Sequence, residues 1–400
     1  MNVFHSPYAT LIAACLVSTT ACRSEDSPDA GDATTEDSSG TDDGGSSSGI
    51  PSGDSTTAVD DDSSGSSDGS STGEGPDQSP YRSILDTIAT PGAQLLVIEP
   101  DGDTWFGVTG DATTDEPMTT DHQLLIGSNT KTWTAAVTLM LVEEGALSLD
   151  DSASVWVTEL DPAITVRDLL RQTSGLGEYF AHPDMQGHLG DAWTPDELIA
   201  LGREVRDDGP GPSVYANTNY IALGLIIESI EQQPFVDVIQ GRVLDPLGLA
   251  NSGIITDPET IPSTVAYGDG GAFEVVTPSH PSVGWAAGAG YSSAEDLASF
   301  YRAMLGGELY DDALLTLQLD AVPSDLGFGQ PGVTEAYGLG LMRLDVGGQA
   351  LTGHLGAVAG FHGWGLRDDE SGALAVVLTN NSEVTSVGPL LEVLAVASGQ

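Results

Sequence analysis

Hydrophobic positions follow two different periods along residues 81–400. Near the start of this region, the apolar runs Leu95–Glu99 and Thr104–Thr109 flank a glycine-containing turn and predict a β-hairpin. The middle of the chain favours helices, because apolar residues recur there at helical spacing, as between Ile221 and Ile230. The predicted helices are Thr130–Glu144, Thr165–Gln172, Thr194–Gly202, Thr218–Glu231 and Ser292–Leu305.

Short apolar runs separated by tight turns predict antiparallel strands near the C-terminus. The predicted strands are Tyr337–Val346, Ala350–His354, Gly360–Leu366 and Ala373–Thr379, and a closing helix follows at Leu390–Ala397. Strands therefore lie at both ends, with helices between them. This order predicts an α/β (α+β) fold: an antiparallel β-sheet built from both chain ends, flanked by helices, with an inserted mainly helical region at roughly residues 150–270.

Residues 23–80 lack this patterning and consist mostly of Ser, Gly, Asp and Thr. Such a segment cannot bury enough apolar surface to offset its ordering entropy, so we predict a disordered acidic linker. The net charge is −49; residues 23–80 contain 15 acidic residues and one basic residue, and residues 81–400 contain 45 and 10. Charge of this sign repels phosphate backbones, which argues against a nucleic-acid partner.

Residues 1–22 have the layout of an export signal, in which a short apolar run precedes small residues. The segment Thr19–Cys22 resembles the acylation site of bacterial lipoproteins, so we expect lipidation at Cys22. The chain would then be exported and lipid-anchored in the bacterial cell envelope, periplasmic or surface-facing. Thr19 departs from the Leu or Ile of that pattern. Acylation at Cys15 and a plain cleaved signal peptide are the alternatives.

Ser128 and Lys131 form the first candidate catalytic pair. Lys131 is the only lysine in the chain, and it follows Ser128 by three residues at the predicted start of a helix. Residues three apart share a helix face, so the hydroxyl and the amine would lie together. A buried amine with a lowered pKa can act as a base, whereas a guanidinium cannot. The alternative is an ordinary solvated lysine.

Tyr215 and Asn217 precede the helix predicted to begin at Thr218. A tyrosine hydroxyl can relay a proton, and an asparagine amide can bind a substrate amide. Alternatively, Tyr215 packs on the helix start and Asn217 is its N-cap.

His354 and Gly356 lie at the end of a predicted strand, where glycine lets a substrate backbone approach closely. A kinked strand with a core histidine is the alternative. Searches for metal-binding and phosphate-binding motifs return nothing, so no metal and no cofactor are expected.

Together, Ser128-x-x-Lys131, Tyr215-x-Asn217 and His354-x-Gly356 resemble the three motifs of serine β-lactamases and penicillin-binding proteins. The similarity is to the branch with class C β-lactamases and D-Ala-D-Ala carboxypeptidases, and it extends from about residue 82 to the C-terminus. It implies an acyl-enzyme on Ser128, proton handling by Lys131 and Tyr215, and an oxyanion hole of the Ser128 and Ala357 N–H groups.

Two departures from that family pattern change the functional expectation. His354 stands where class C β-lactamases have lysine, and residues 277–285 offer no arginine for a substrate carboxylate. Gln172 stands where histidine is common, and we expect a structural role for it.

We therefore expect a serine hydrolase that is D-Ala-D-Ala carboxypeptidase-like or hydrolyses D-amino peptides. A promiscuous carboxylesterase or weak β-lactamase is the alternative within the fold. A catalytically silent penicillin-binding-like lipoprotein is the alternative from another class. The expected substrates are small peptides, esters or β-lactams.

Overall fold

The computed structural model describes residue 77 and residues 79–88, 91–268, 279–326, 333–358, 360–381 and 387–399. The predicted signal, Cys22 and nearly all of the predicted linker lie outside the described residues, so lipidation and export stay predictions. Within the described ranges, no helix is long and apolar enough to cross a membrane.

Most helices of the described residues lie between the strands at the two chain ends. They are α1 (Pro80–Leu85), α2 (Thr130–Glu143), α3 (Val166–Leu170), α4 (Pro183–Gln186), α5 (Pro195–Val205), α6 (Thr218–Glu231), α7 (Phe235–Ile239), α8 (Asp245–Leu247), α9 (Trp285–Gly288), α10 (Ala294–Leu305), α11 (Asp312–Leu319) and α12 (Val387–Ala397). Helices α3–α8 fall within residues 150–270, and α9–α11 extend the helical middle of the chain further.

Most of the strands lie toward the two ends of the folded region, and four strands of two or three residues lie between them. They are β1 (Gly92–Ile98), β2 (Thr104–Gly110), β3 (Leu124–Leu125), β4 (Ser213–Val214), β5 (Gly253–Ile254), β6 (Gly290–Ser292), β7 (Val322–Asp325), β8 (Val333–Tyr337), β9 (Met342–Val346), β10 (Gln349–Val358), β11 (Phe361–Asp368) and β12 (Leu374–Thr379).

One nine-stranded sheet has the order β2-β1-β12-β11-β10-β9-β8-β7-β4. Strand β1 pairs antiparallel with β12, and Leu95 lies opposite Val377, so the first and last parts of the folded region form adjacent strands. The predicted fold class is thereby confirmed. A separate three-stranded sheet, β3-β6-β5, was not anticipated, and β4 pairs parallel with β7.

The large sheet separates two hydrophobic cores, because side chains alternate between its faces. On one face, Leu95 and Val97 pack with helices α1 and α12. On the other face, Leu96 packs with helix α10 and the rest of the helical region. Strands β1 and β12 are therefore buried on both sides, which explains their nearly continuous apolar sequence.

Three predicted elements differ clearly from the structure. The strand predicted at Ala350–His354 extends to Val358 as β10, so His354 and Gly356 lie within it rather than at its end. The single strand predicted at Tyr337–Val346 is two strands, β8 and β9, separated by a turn in which Gly340 has φ of 86°. The helix predicted at Thr165–Gln172 ends earlier because Gln172 has φ of 62°, outside the helical region.

Candidate active site

Ser128 lies in a turn that leads directly into the buried central helix α2. The 3₁₀ turn Gly127–Asn129 precedes Thr130, where α2 begins, and Ser128 is partly exposed while its neighbours are buried. Thr130 Oγ1 donates to Gly127 O at 2.6 Å, and Tyr301 Oη donates to Asn129 Oδ1 at 2.7 Å. These bonds fix the turn and present the hydroxyl at the positive end of the helix.

Strand β10 passes directly beside this turn, at a distance that only glycine allows. A Cβ on Gly356 would lie 1.7 Å from Ile126 O. A Cβ on Gly127, which has φ of 50°, would lie 2.7 Å from Ala357 N. The close approach brings the Ala357 backbone next to the turn that carries Ser128.

Lys131 is fully buried, and its amine contacts the Ser128 hydroxyl. Its Nζ lies 2.9 Å from Ser128 Oγ, 2.5 Å from Asn217 Oδ1 and 2.7 Å from Ala287 O. Burial lowers the pKa of Lys131 from 10.5 to about 7, against the opposing effect of Glu178. The alternative of a solvated lysine is therefore wrong, and the amine can accept a proton near neutral pH.

The Asn217 side chain turns toward Lys131 rather than capping its own helix. Asn217 occupies the N-cap position of α6, but its side chain makes no capping hydrogen bond. Instead Oδ1 accepts from Lys131, while the Nδ2 group and the backbone N–H donate to Glu178 Oε2 at 2.9 and 2.7 Å. The N-cap alternative is therefore wrong for this side chain.

Glu178 is a residue of the site that the sequence analysis missed. It lies between α3 and the 3₁₀ turn Tyr179–Ala181, and its carboxylate also accepts the Phe180 N–H at 3.2 Å. Burial raises the pKa of Glu178, whereas the N–H donors and Lys131 oppose that rise. No local pattern in the sequence linked Glu178 to Asn217, which lies 39 residues further along.

Two aromatic rings lie close to the Lys131 amine. Lys131 Nζ lies 5.0 Å from the ring centroid of Tyr215 and 5.6 Å from that of Tyr220. Tyr215 is partly exposed, whereas Tyr220 and Tyr337 are buried. The rings exclude water from Nζ, which is the physical origin of its lowered pKa, and their faces still tolerate a positive charge.

His354 is buried and neutral. Its Nδ1 lies 2.6 Å from Leu355 O, a carbonyl that can only accept, so Nδ1 carries the proton. Nε2 then accepts from Tyr337 Oη at 2.9 Å. Burial first, and then the charge of Lys131, lower the pKa of His354 to about 3. These are the contacts of a satisfied core histidine, and substrate contact by His354 or by the equally buried Gly356 stays a prediction.

The second half of β10 has an open edge beside Ser128. Strand β9 pairs with β10 only over Gln349–Gly353, and no other described strand pairs with that edge from His354 to Val358. Ala357 lies in this half and is exposed. The edge can accept an extended substrate, and the Ala357 N–H is placed beside the Ser128 turn.

Gln172 and Ala287 support the site through hydrogen bonds that involve the backbone. Gln172 Oε1 accepts the Ala216 N–H at 3.0 Å, which holds the loop that carries Tyr215 and Asn217. The expected structural role of Gln172 is thereby confirmed. Ala287, on α9, supplies a backbone carbonyl to Lys131, a contact that leaves no signature in the sequence.

The comparison with family models matches residues 81–396 to the β-lactamase family. The chain therefore belongs to this family, and the resemblance inferred from the three motifs is confirmed.

Two curated relatives are a D-aminopeptidase and a putative penicillin-binding protein. A D-aminopeptidase of Brucella anthropi is 28% identical over 273 residues, which cover 66% of this chain and 51% of that protein. The putative penicillin-binding protein PbpX of Bacillus subtilis is 29% identical over 237 residues, which cover 56% of this chain and 54% of that protein. The chain thus spans about half the length of these relatives.

Solved structures of similar proteins share the fold over nearly their full length. A D-stereospecific amidohydrolase from Streptomyces is 28% identical, with a TM-score of 0.68, over 79% of this chain and 98% of that one. The D-amino acid amidase of Ochrobactrum anthropi is 28% identical, with a TM-score of 0.68, over 78% and 99%. Another structure of that amidase, 26% identical over 80% and 98% with a TM-score of 0.67, is a complex with D-phenylalanine.

Replacement of Gly356 by alanine tests the close approach of β10 to the Ser128 turn. The added Cβ would collide with Ile126 O, so the turn and strand must separate, and we expect kcat/KM to fall roughly 100-fold. The measurement is hydrolysis of p-nitrophenyl butyrate together with the thermal unfolding midpoint. Gly388→Ala, where an added Cβ meets nothing within 4 Å, is the control. Wild-type activity in Gly356→Ala would contradict this account of the site.

Proposed function

We propose that this chain hydrolyses amide bonds of D-amino acid peptides or amides through an acyl-enzyme on Ser128. The observation that carries the proposal is the 2.9 Å contact between Ser128 Oγ and the buried amine of Lys131. The names of the D-aminopeptidase and D-amino acid amidase relatives support the substrate class.

In the first half of the reaction, Ser128 Oγ attacks the substrate carbonyl carbon while its proton passes to the neutral Lys131 Nζ. The negative oxygen of the tetrahedral intermediate accepts hydrogen bonds from the Ser128 and Ala357 N–H groups. The intermediate then collapses: the C–N bond breaks, and the leaving amine takes the proton from Lys131 through the Tyr215 hydroxyl. The product is an acyl ester on Ser128.

In the second half, a water molecule attacks the ester carbonyl and gives a proton to Lys131. The acyl–oxygen bond breaks, and Ser128 Oγ recovers that proton as the acid leaves. Lys131 must therefore accept and return a proton twice in each turnover. A base whose pKa is about 7 suits both directions at neutral pH.

The charges around Ser128 favour a substrate without a carboxylate at the reacting bond. Lys131 is buried and already holds three oxygen acceptors, and His354 is neutral. None of the described arginines hydrogen-bonds to Ser128, Asn217 or Glu178. A terminal carboxylate of the substrate would thus find no free cation among the described side chains at this site, which favours an amide or aminopeptidase substrate over a carboxypeptidase substrate.

The pH dependence of hydrolysis follows from the role of Lys131. Only the neutral amine can accept the Ser128 proton, so we expect kcat/KM to rise with pH through a midpoint near 7, the pKa of Lys131. We expect Ser128→Ala and Lys131→Arg each to lose at least about 1,000-fold in kcat/KM with folding intact. Hydrolysis of p-nitrophenyl butyrate between pH 5 and 9 measures both effects.

Ser154→Ala, a hydroxyl lost from the turn Ala153–Val155, is the control for these variants. Full activity in Lys131→Arg would remove Lys131 as the base. No turnover of any ester or amide by the wild type would favour the silent binding protein.

A matched pair of dipeptides tests the absence of a carboxylate site. We expect D-Ala-D-Ala amide to be hydrolysed roughly 10-fold faster in kcat/KM than D-Ala-D-Ala, because only the latter brings a carboxylate to a site without a free cation to bind it. Hydrolysis is followed by release of D-alanine or its amide, with L-Ala-L-Ala amide as the control for chirality. Faster hydrolysis of the free acid would instead support a carboxypeptidase, and rapid turnover of penicillin would support a β-lactamase.

We also propose that the chain is exported and anchored through a lipid on Cys22, as the residues around it favour. Mass spectrometry of the mature N-terminus tests this. We expect a diacylated Cys22 in membrane fractions and release of the protein by Cys22→Ala. A mature N-terminus that carries no lipid would contradict the anchor and would support a plain cleaved signal peptide.

A further inference from the structure

We propose that Glu178 is a positioning residue of the site, whose carboxylate aims the Asn217 amide at Lys131 and balances the charge of Lys131 when it carries a proton. This inference rests on the proposed role of Lys131 as the base. It assigns a function to an acid that the reaction steps above do not use.

The Asn217 side-chain amide lies between Lys131 and Glu178 and hydrogen-bonds to both. Asn217 Oδ1 lies 2.5 Å from Lys131 Nζ, and Asn217 Nδ2 lies 2.9 Å from Glu178 Oε2. The same carboxylate oxygen accepts the Asn217 backbone N–H at 2.7 Å. A flipped amide would place its oxygen against the carboxylate and its NH₂ group against the amine, so the hydrogen bonds favour the orientation in which the oxygen faces Lys131.

Glu178 is a carboxylate rather than a carboxylic acid in this arrangement. Its two oxygens together accept from three N–H groups, which belong to Asn217 and Phe180. Protonation of either oxygen would make it a weaker acceptor for these donors, so the three N–H groups favour the ionised carboxylate. Hydrogen bonds of this kind stabilise the ionised form and oppose the effect of burial.

The negative charge of Glu178, which is separated from Lys131 by the Asn217 amide, favours the protonated form of Lys131. Burial removes water from the ammonium and acts in the opposite direction, and burial is the larger effect. The pKa near 7 is therefore a balance between desolvation and Glu178. Removal of the charge with retention of the shape should lower the pKa of Lys131 further.

Three other titratable groups near Lys131 have pKa values shifted away from neutrality. Burial raises the pKa of Tyr220 on α6 and of Tyr337 on β8, and lowers that of His354 on β10 to about 3. Tyr215 faces the amine from the loop before α6.

Around Glu178, burial raises the pKa of Tyr179, and the Arg206 guanidinium is bound to Leu176 O at 3.0 Å. Lys131 and Glu178 are thus the interacting pair of this site, and Lys131 is the member whose pKa lies near 7.

The single lysine of the chain makes the proposal directly measurable. Protein labelled with [ε-¹³C]lysine gives one lysine NMR signal, and its shift with pH reports the pKa of Lys131 without any substrate. We expect a midpoint near 7 in the wild type and a midpoint lower by roughly one pH unit in Glu178→Gln. Glu159→Gln, which removes an exposed acid, is the matched control and should leave the midpoint within a few tenths of a unit.

A kinetic measurement separates the effect of Glu178 on the orientation of the Asn217 amide from the effect of the Glu178 charge on Lys131. The substrate is p-nitrophenyl butyrate, which has no amine that Glu178 could bind directly. We expect Glu178→Gln to shift the acid limb of kcat/KM to lower pH by the same amount, and to lower the plateau kcat about 10-fold. Glu178→Asp keeps the charge but is shorter, so it should keep the wild-type midpoint and lose kcat.

The outcomes are distinct. An unchanged or raised lysine midpoint in Glu178→Gln would overturn the proposal, as would an effect on KM alone. A lowered midpoint in an enzyme without activity on any acyl substrate would support the link between Glu178 and Lys131 while defeating the proposed function. If thermal unfolding shows that Glu178→Gln does not fold, Glu178→Asp decides: a wild-type kcat in that variant would overturn the proposal.

Discussion

The Lys131 side chain has no exposed surface, so an ammonium at this position loses nearly all of its hydration. A pKa lowered from 10.5 to about 7 corresponds to roughly 5 kcal/mol in favour of the neutral amine. The central helix α2, the rings of Tyr215 and Tyr220, and the Ala287 carbonyl all contribute to this enclosure. The tight passage of β10 beside Ser128 closes the same site, so the sheet and the helical region meet where the amine is buried.

Burial alone would make Lys131 a poor proton carrier, because a catalytic base must accept a proton as readily as it releases it. Glu178 opposes the desolvation from beyond the Asn217 amide and keeps the protonated form accessible. The amide between them matters, since direct contact of carboxylate and amine would form a tight ion pair with no free base. The Asn217 side chain thus transmits charge stabilisation while it leaves the Ser128 contact intact.

The sequence predicted what local geometry dictates. The spacing of Ser128 and Lys131 on a helix was enough to place hydroxyl and amine together. The orientation of Asn217 could not be predicted, because its N-cap position allows two uses and the choice depends on Glu178, 39 residues earlier in the chain. The hydrogen bond that satisfies the buried His354 comes from Tyr337, which lies at the end of β8, inside a segment predicted as one continuous strand. Contacts between distant segments decided both outcomes.

The neutrality of His354 follows first from its own burial and then from the nearby charge of Lys131. A second cation fully enclosed beside Nζ would repel it and lower the pKa of Lys131 further, in addition to its own desolvation cost. Histidine avoids this cost, because Leu355 O and Tyr337 Oη satisfy both ring nitrogens of the neutral form. The third motif therefore supplies shape and hydrogen bonding without charge. The electrostatics at Ser128 are then governed by one amine and one carboxylate, and a substrate is selected by how it meets that pair.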